Sequence, residues 1–395
     1  MRIAMVTEYA YPVLGGISEH VHHLSGELAG LGHEVTVVTG RPPGSLRSDA
    51  ALADRHALLD RGYDTVRVGA SYRVPANGSL ARVSAGPGLS REVRDAIVGA
   101  DLVHIQGLVS PTLPLLALRE AREAALVGTF HTYLEPGHWG CRAFRRPLRR
   151  LLARLDRRIV VSNACMPGLT PHFPGRYDVV PNGVDCDRYR PLSPGETPPD
   201  GPPRILFVGR FEPRNDLPTL LDAAAILGAR GRAFALDVVG DGPPRRRLID
   251  RARALGIADL VSWHGALNAG RSQLYREAAV FAAPCTIASF GVVLLEAMAS
   301  GIAIVCADNP GFRQVIRDGA PGRFVRPRDP EHLARALDAV LGDAALRARW
   351  AVEGRALAQS LYAWPVVARR VEALYEGVVG SEAGRPGEGV ATTAG

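Results

Sequence analysis

Pro191-Leu192-Ser193-Pro194-Gly195-Glu196-Thr197-Pro198-Pro199-Asp200-Gly201-Pro202-Pro203 runs straight into Arg204-Ile205-Leu206-Phe207-Val208-Gly209. The first stretch holds six prolines. Proline fixes φ and removes a backbone donor, so this stretch is neither helix interior nor central strand. It reads as a linker, spanning 191–203. The second stretch is a short apolar run closed by glycine, which reads as a buried strand and its turn. Outward from the junction the same alternation repeats on both sides. Before it, strands are expected at Ile3–Tyr9, Glu34–Gly40, Thr65–Gly69, Leu102–Gln106, Leu126–His131, Arg158–Ser162 and Asp178–Pro181. After it, they are expected at Ala235–Gly240, Leu260–His264, Val280–Ala283, Ile302–Ala307 and Arg323–Val325. Helical patterns separate them, the first over Ser18–Leu31 with Val21, Leu24, Leu28 and Leu31 as its apolar stripe. Short buried strands with crossover helices imply an α/β fold of two doubly wound, Rossmann-like domains, 1–190 and 204–358. Such sheets bind ligands beyond the carboxyl ends of their strands, so a cleft between the domains is the expected site. Residues 331–378 read as helical, with Trp364, Val367, Val371 and Leu374 on one face. The segment 360–378 is expected to pack back on the first domain, and 380–395 to be a disordered tail.

Composition narrows the function. The chain has 395 residues, 47% hydrophobic and 22% charged, which excludes disorder for its bulk. No apolar run is long enough for a spanning helix, and Glu8 interrupts any signal-peptide core, so a cytoplasmic protein is expected. Five cysteines lie far apart without a Cys-x-x-Cys pair, which argues for reduced thiols and against structural zinc. All 47 basic residues are arginine. Schiff-base chemistry and a P-loop lysine are thereby excluded. A net charge of +7 points to an anionic partner without choosing among nucleotide, phospholipid and nucleic acid.

Four segments carry chemistry. Gly209-Arg210-Phe211-Glu212-Pro213-Arg214-Asn215 puts a guanidinium at a strand end, where it can grip phosphate bidentately. In Ala288-Ser289-Phe290-Gly291-Val292-Val293-Leu294-Leu295-Glu296, Ser289 reads as an N-cap. Free backbone N–H groups at such a helix start suit a pyrophosphate. Glu296 lies among apolar neighbours, which favours an acceptor for groups such as ribose hydroxyls over a surface carboxylate. Gly15-Gly16, between the first strand and helix, lets backbone approach a ligand closely. His131, in Gly128-Thr129-Phe130-His131-Thr132, ends a strand, and the sequence leaves core and cleft roles equally open.

These segments together resemble the retaining GT-B glycosyltransferases of the large bacterial group 1 (glycosyltransferase family 4) kind, which includes the phosphatidylinositol mannosyltransferases. The resemblance covers about Met1 to Val378 and includes Val180-Pro181-Asn182-Gly183-Val184-Asp185. It implies a GT-B fold and transfer of a sugar from a nucleoside-diphosphate donor, GDP-mannose or another, to a lipid-linked or small hydroxylated acceptor. Arg210 would clamp the pyrophosphate, helped by backbone at Ser289, Phe290, Gly291 and Val292. Glu296 would hold the ribose, Gly15 and Gly16 would leave room for phosphates, and His131 would touch the donor sugar. The nucleotide sugar is a co-substrate and no metal is expected, because Arg and a helix start can stabilise the leaving group. Asn77-Gly78-Ser79-Leu80-Ala81-Arg82 resembles an acceptor-side loop of the mannosyltransferases.

Two positions depart from the pattern. Asn215 stands where the family usually has Lys, with Arg214 one position away, and Ala288 stands where it has the first Glu of Glu-x7-Glu. These losses fit a different donor, such as a deoxysugar, or an impaired homologue that binds nucleotide sugar or a partner without turnover. A GT-B nucleotide-sugar epimerase fits the glycine pair and the Ser289–Glu296 segment less well.

Other motifs are set aside. His20-Val21-His22-His23 has no third ligand spaced to complete a metal site. Gly240-Asp241-Gly242-Pro243-Pro244 lacks the third glycine of a dinucleotide fingerprint. Arg142–Arg158 carries eight arginines in 17 residues, interleaved with Leu148, Leu151, Leu152 and Leu155. No recognition motif or stacking platform supports nucleic acid. A basic amphipathic helix lying on anionic lipid, peripheral on the inner face of the cell membrane, is the expectation.

Overall fold

The structure, a computed structural model, describes every residue except 14, 43–60, 77–78, 109, 111, 132–141, 143, 198, 268–269 and 383–395. The first sheet contains β1 (Arg2–Val6), β2 (Glu34–Arg41), β3 (Asp64–Ala76), β4 (Ser79–Ala85), β5 (Leu102–Gln106), β6 (Ala125–Phe130), β7 (Arg157–Val160) and β8 (Asp178–Val179). Their order is β4-β3-β2-β1-β5-β6-β7-β8, parallel throughout except for the β3–β4 hairpin. The second sheet contains β9 (Arg204–Val208), β10 (Ala235–Val239), β11 (Val261–Gly265), β12 (Val280–Ala283), β13 (Ala303–Ala307), β14 (Arg317–Asp318) and β15 (Pro321–Val325). Its order is β11-β10-β9-β12-β13-β15-β14. Strand order reverses between β1 and β5 in one sheet and between β9 and β12 in the other. These are the places where open α/β sheets bind ligands.

Central strands are apolar on both faces because helices cover both; β5, β6 and β13 are buried at every residue. The helix Gly16–Gly30 follows β1 and buries Val21, Leu24 and Leu28 against the first sheet. The final helix, Trp364–Glu382, shares that cluster: Trp364, Val367, Val371 and Tyr375 pack with Ile3, Met5 and Val127.

Four expectations need correction. The strand expected to stop at Gly69 continues to Ala76 and turns back antiparallel as β4. Arg73 and Arg82 face each other across that hairpin, so its polarity hid it, and Ser79–Arg82 is strand rather than loop. Asn77 and Gly78 lie outside the described residues. The segment 331–378 is not continuous helix. Asp343 ends the helix Pro330–Gly342 and caps Ala344–Leu357, its side chain accepting from Leu346 N–H. A second break, at Ala363, precedes the final helix. Lastly, that helix runs past Gly380 to Glu382, and the remaining tail lies outside the described residues.

Candidate functional site

Arg210 lies just past β9 and the Ser289–Val292 turn just past β12, adjacent strands at the reversal point of the second sheet. The two loops are tied together: Thr286 donates through its N–H (2.8 Å) and its hydroxyl (3.2 Å) to the carbonyl of Arg214. Arg210 is 62% exposed and pairs with Glu212 at 3.3 Å, and Arg214 pairs with the same carboxylate at 2.9 Å. Arg214 is thus engaged by Glu212. The Asn215 amide donates to the Arg210 carbonyl at 2.7 Å. Where the family pattern has a cation, this chain has a brace for the Arg210 turn.

Ser289 is not the helix cap. The helix is Val292–Ala299, and Gly291 caps it at φ 134°. A Cβ there would lie 2.8 Å from Phe312, so glycine is required at the turn and delays the helix by two residues. Ser289 instead offers its carbonyl to the Ser162 hydroxyl of the first domain. Phe290 is buried against Tyr362, 6.0 Å between ring centroids. Ala288 packs over Gly311, where any side chain would strike its carbonyl.

Glu296 has the apolar neighbours expected, but its carboxylate is held by a polar network. Arg271 donates to Oε1 at 2.8 Å and the Tyr275 hydroxyl donates to Oε2 at 2.7 Å. Arg271 also donates to the Tyr189 hydroxyl at 2.6 and 2.9 Å. The sequence reading gave Arg271, Tyr275 and Tyr189 no role. Nothing in the local pattern pairs Arg271 with a carboxylate 25 residues away.

In the first domain, Gly15 caps the helix Gly16–Gly30 without a side-chain bond, and no atom of the described residues would meet a Cβ at Gly15 or Gly16 within 4 Å. One turn in, His20 hydrogen-bonds with Asn182 at 3.0 Å and meets the His131 ring edge-on, 4.7 Å between centroids. His131 hydrogen-bonds with Gln106 at 2.6 Å. The helix start, the ends of β5 and β6, and the Val180–Asp185 motif therefore converge. Burial pushes the His131 ring well below the usual histidine range, and the neighbouring His20 and His104 rings push the same way, so it is a neutral hydrogen-bonding group. Thr132 lies outside the described residues.

His20, His22 and His23 are each occupied, with Asn182, Tyr63 and Glu19 respectively. Glu19 joins the two domains electrostatically. Burial opposes its ionisation, but the His23 hydrogen bond and the Arg271 charge outweigh it and hold the carboxyl down to about 2.

The Arg142–Arg158 segment is not one helix. The helix spans Arg145–Leu152, and Arg157 opens β7. Leu152 and Leu155 are buried in the core, with Leu148 and Leu151 packed against it, so the apolar stripe faces the protein and not a lipid. Arg154 donates to the carbonyls of Leu118, Arg119 and Ala121, closing the helix Leu113–Glu120, and Arg158 donates to Leu152 and Pro174. Arg145, Arg146, Arg149, Arg150 and Phe144 remain on the outer face, all exposed. Cys141 and Ala143 lie outside the described residues, and no described helix is long and apolar enough to cross a membrane.

Comparison with known proteins agrees with this geometry. The profile "Glycosyl transferases group 1" matches residues 191–357, and "Glycosyltransferase Family 4" matches 14–188. The phosphatidyl-myo-inositol mannosyltransferase of Mycobacterium tuberculosis is 34% identical over 97% of this chain and 98% of its own. A glycogen synthase of the same organism is 30% identical over 95% and 94%. Among solved structures, Anabaena HepE in complex with UDP-glucose superposes with TM-score 0.76 at 20% identity, over 95% of this chain and all of that one. A Rickettsia africae glycosyltransferase gives 0.75 at 18% identity, over 96% and 98%. The chain belongs to the group 1 glycosyltransferases, of the family 4 kind, and has their GT-B fold.

Proposed function

We propose that the chain is a retaining glycosyltransferase that moves a sugar from a nucleoside diphosphate to an anionic, lipid-linked acceptor. One observation carries the reading. The exposed Arg210, the Gly291-capped helix start, the Gly15–Gly16 helix start and His131 follow strand ends at the reversal points of the two sheets, with Glu296 one turn into the helix that Gly291 caps. Arg210 and the backbone N–H groups of Val292 and Val293 take the charge that develops on the leaving diphosphate, without a metal. Glu296 accepts from ribose hydroxyls. His131, neutral and fixed by Gln106, hydrogen-bonds the sugar. The bond from the anomeric carbon to the diphosphate oxygen breaks, its electron pair leaving with that oxygen, the acceptor oxygen bonds to the same face of that carbon, and its proton passes to a phosphate oxygen of the departing nucleotide. On the acceptor side, Arg82 is buried on β4 opposite Arg73 and donates to Ser71 at 3.2 Å, a cationic patch suited to a phosphate headgroup. The lipid-linked acceptor is supported by the mannosyltransferase relatives and by the exposed arginines 145, 146, 149 and 150. The reading places the protein on the cytoplasmic face of the cell membrane.

Ala288 and Asn215 favour a second reading, binding of nucleotide sugar without turnover, because the cleft lacks one carboxylate and one cation of the family pattern. A transfer assay separates the two. Donors are GDP-mannose, UDP-glucose and a deoxysugar nucleotide, with phosphatidylinositol as acceptor and the product anomer read by NMR. Transfer with retained configuration supports the first reading. Binding of a donor without transfer or hydrolysis supports the second, and an inverted product removes retention.

A further inference from the structure

Glu296 is buried, yet a carboxylate that reads a ribose must present its oxygens in one fixed orientation. Three side chains distant in sequence fix it. The Arg271 guanidinium spans Glu296 Oε1 (2.8 Å) and the Tyr189 hydroxyl (2.6 Å), while Tyr275 holds Oε2 (2.7 Å). Tyr275 is fully buried and stacks on Phe281 of β12, 5.4 Å between centroids, so the donor itself cannot move. Tyr189 lies edge-on to Tyr275 at 5.5 Å. An ionised carboxylate has about four acceptor positions, so after these two bonds two remain, matching the two hydroxyls of a ribose diol. The first domain reaches the same guanidinium, since the Arg271 charge bears on Glu19 of the helix Gly16–Gly30.

We propose that Arg271 is the positioning residue for ribose recognition: braced by Tyr189, it fixes the Glu296 carboxylate so that its remaining acceptor positions read the 2′- and 3′-hydroxyls of the donor nucleotide. This rests on the assignment of Glu296 to the ribose. Removing Arg271 leaves a buried carboxylate without its counter-charge and held by Tyr275 at Oε2 alone, so Oε1 loses its fixed direction and hydroxyl discrimination falls more than phosphate binding does. Arg271 has the reach for this because Arg presents several N–H groups in one rigid plane, and two separate acceptors are needed here.

Calorimetry on the full chain tests it, with GDP, UDP and their 2′-deoxy forms as probes. The wild type is expected to prefer its ribonucleotide over the 2′-deoxy form by about tenfold or more. Arg271→Met, which keeps the volume, should bring that ratio close to one, and Arg271→Lys should restore part of it. A residue that only filled space would show the opposite ranking. Tyr189→Phe deletes a single oxygen from the brace and should lower the ratio partway, and it decides the matter if Arg271→Met does not fold. A wild type that binds both forms equally overturns the ribose assignment of Glu296 and this inference with it. A discriminating wild type whose Tyr189→Phe and Arg271→Met variants keep the full ratio overturns the role of Arg271 alone.

Discussion

The proposed donor site turns on single atoms. Position 288 carries a methyl group where the family pattern has a carboxylate, so one acceptor for sugar hydroxyls is missing. A site that has given up a pairing no longer rejects the analogue lacking that hydroxyl. Deoxysugar donors should therefore be used at least as well as mannose, and Ala288→Glu should shift kcat/KM toward the fully hydroxylated sugar. Equal donor preference before and after the substitution would show position 288 to be neutral. In the proposed reading, Arg210 acts on the other end of the donor. It pairs with Glu212 on the same loop, and the Arg210 end of that pair is largely in water. Little is lost by breaking it. Arg210→Ala should still cost nucleoside-diphosphate binding about 1.5–3 kcal/mol, because the bond to phosphate is charge-assisted. Calorimetry with an unchanged Kd would remove Arg210 from the phosphate site.

At the scale of elements, the final helix is pinned to the Val180–Asp185 motif through one indole. Trp364 is buried, stacks on His23 at 5.3 Å and 6°, and covers Gly183 so closely that a Cβ there would lie 2.4 Å from the indole. Neither partner can yield, so Gly183→Ala should destabilise by about 1–3 kcal/mol, the range for overpacking. Urea midpoints read it, and a wild-type midpoint would mean that the crossover helix is loosely held. The helix Arg145–Leu152 makes a different claim. Its leucines are committed to the core, so whatever it binds on its outer face it binds by charge and by Phe144. Each basic residue near an anionic surface contributes about 1 kcal/mol. Salt-sensitive sedimentation with phosphatidylserine vesicles is expected, lost on replacing Arg145, Arg146, Arg149 and Arg150 by Gln with nucleotide binding intact. Wild-type protein left in the supernatant at low salt would reduce this cluster to a solvated face.

Across the whole molecule, the histidines at the first domain's ligand edge set an acid limit. Burial lowers His20 to about 4 and His22 and His104 to about 3, with His131 also well below the usual range. In the unfolded chain each takes a proton near pH 6.5. Their folded values are depressed, so below pH 6.5 the unfolded state binds more protons and stability falls as pH falls, down to about pH 4 and beyond. Each buried ring contributes up to ~1.4 kcal/mol per pH unit in that window. Glu19 adds a loss only lower, from about 4.5 toward about 2. Urea midpoints should therefore drop steeply from pH 7 to pH 5, before any carboxylate matters, and a flat profile over that range would contradict the burial of these rings. His104, bonded with both Tyr375 of the final helix and Thr129 of β6, ties this acid limit to the packing of the final helix on the first sheet.

Period and punctuation were enough for the α/β alternation and for several strand limits, because these depend on local composition: β5 and β12 fall on the expected residues without change. The segments near Gly16, His131 and Arg210 stood out as candidates in the sequence, since glycine turns and polar groups at strand ends are local features. The β3–β4 hairpin was not, because an edge pairing between Arg73 and Arg82 carries no apolar signature. The cap of the Val292 helix was not, because Gly291 is chosen by contact with Phe312, 21 residues on. The sequence left Arg142–Arg158 an amphipathic helix free to lie on a membrane, and only packing revealed that its leucines were already spent on the core. Arg271 marks the same boundary. Its charge is visible in the sequence, but its partner Glu296 is brought to it only when the helices before and after β12, Arg271–Glu277 and Val292–Ala299, pack together.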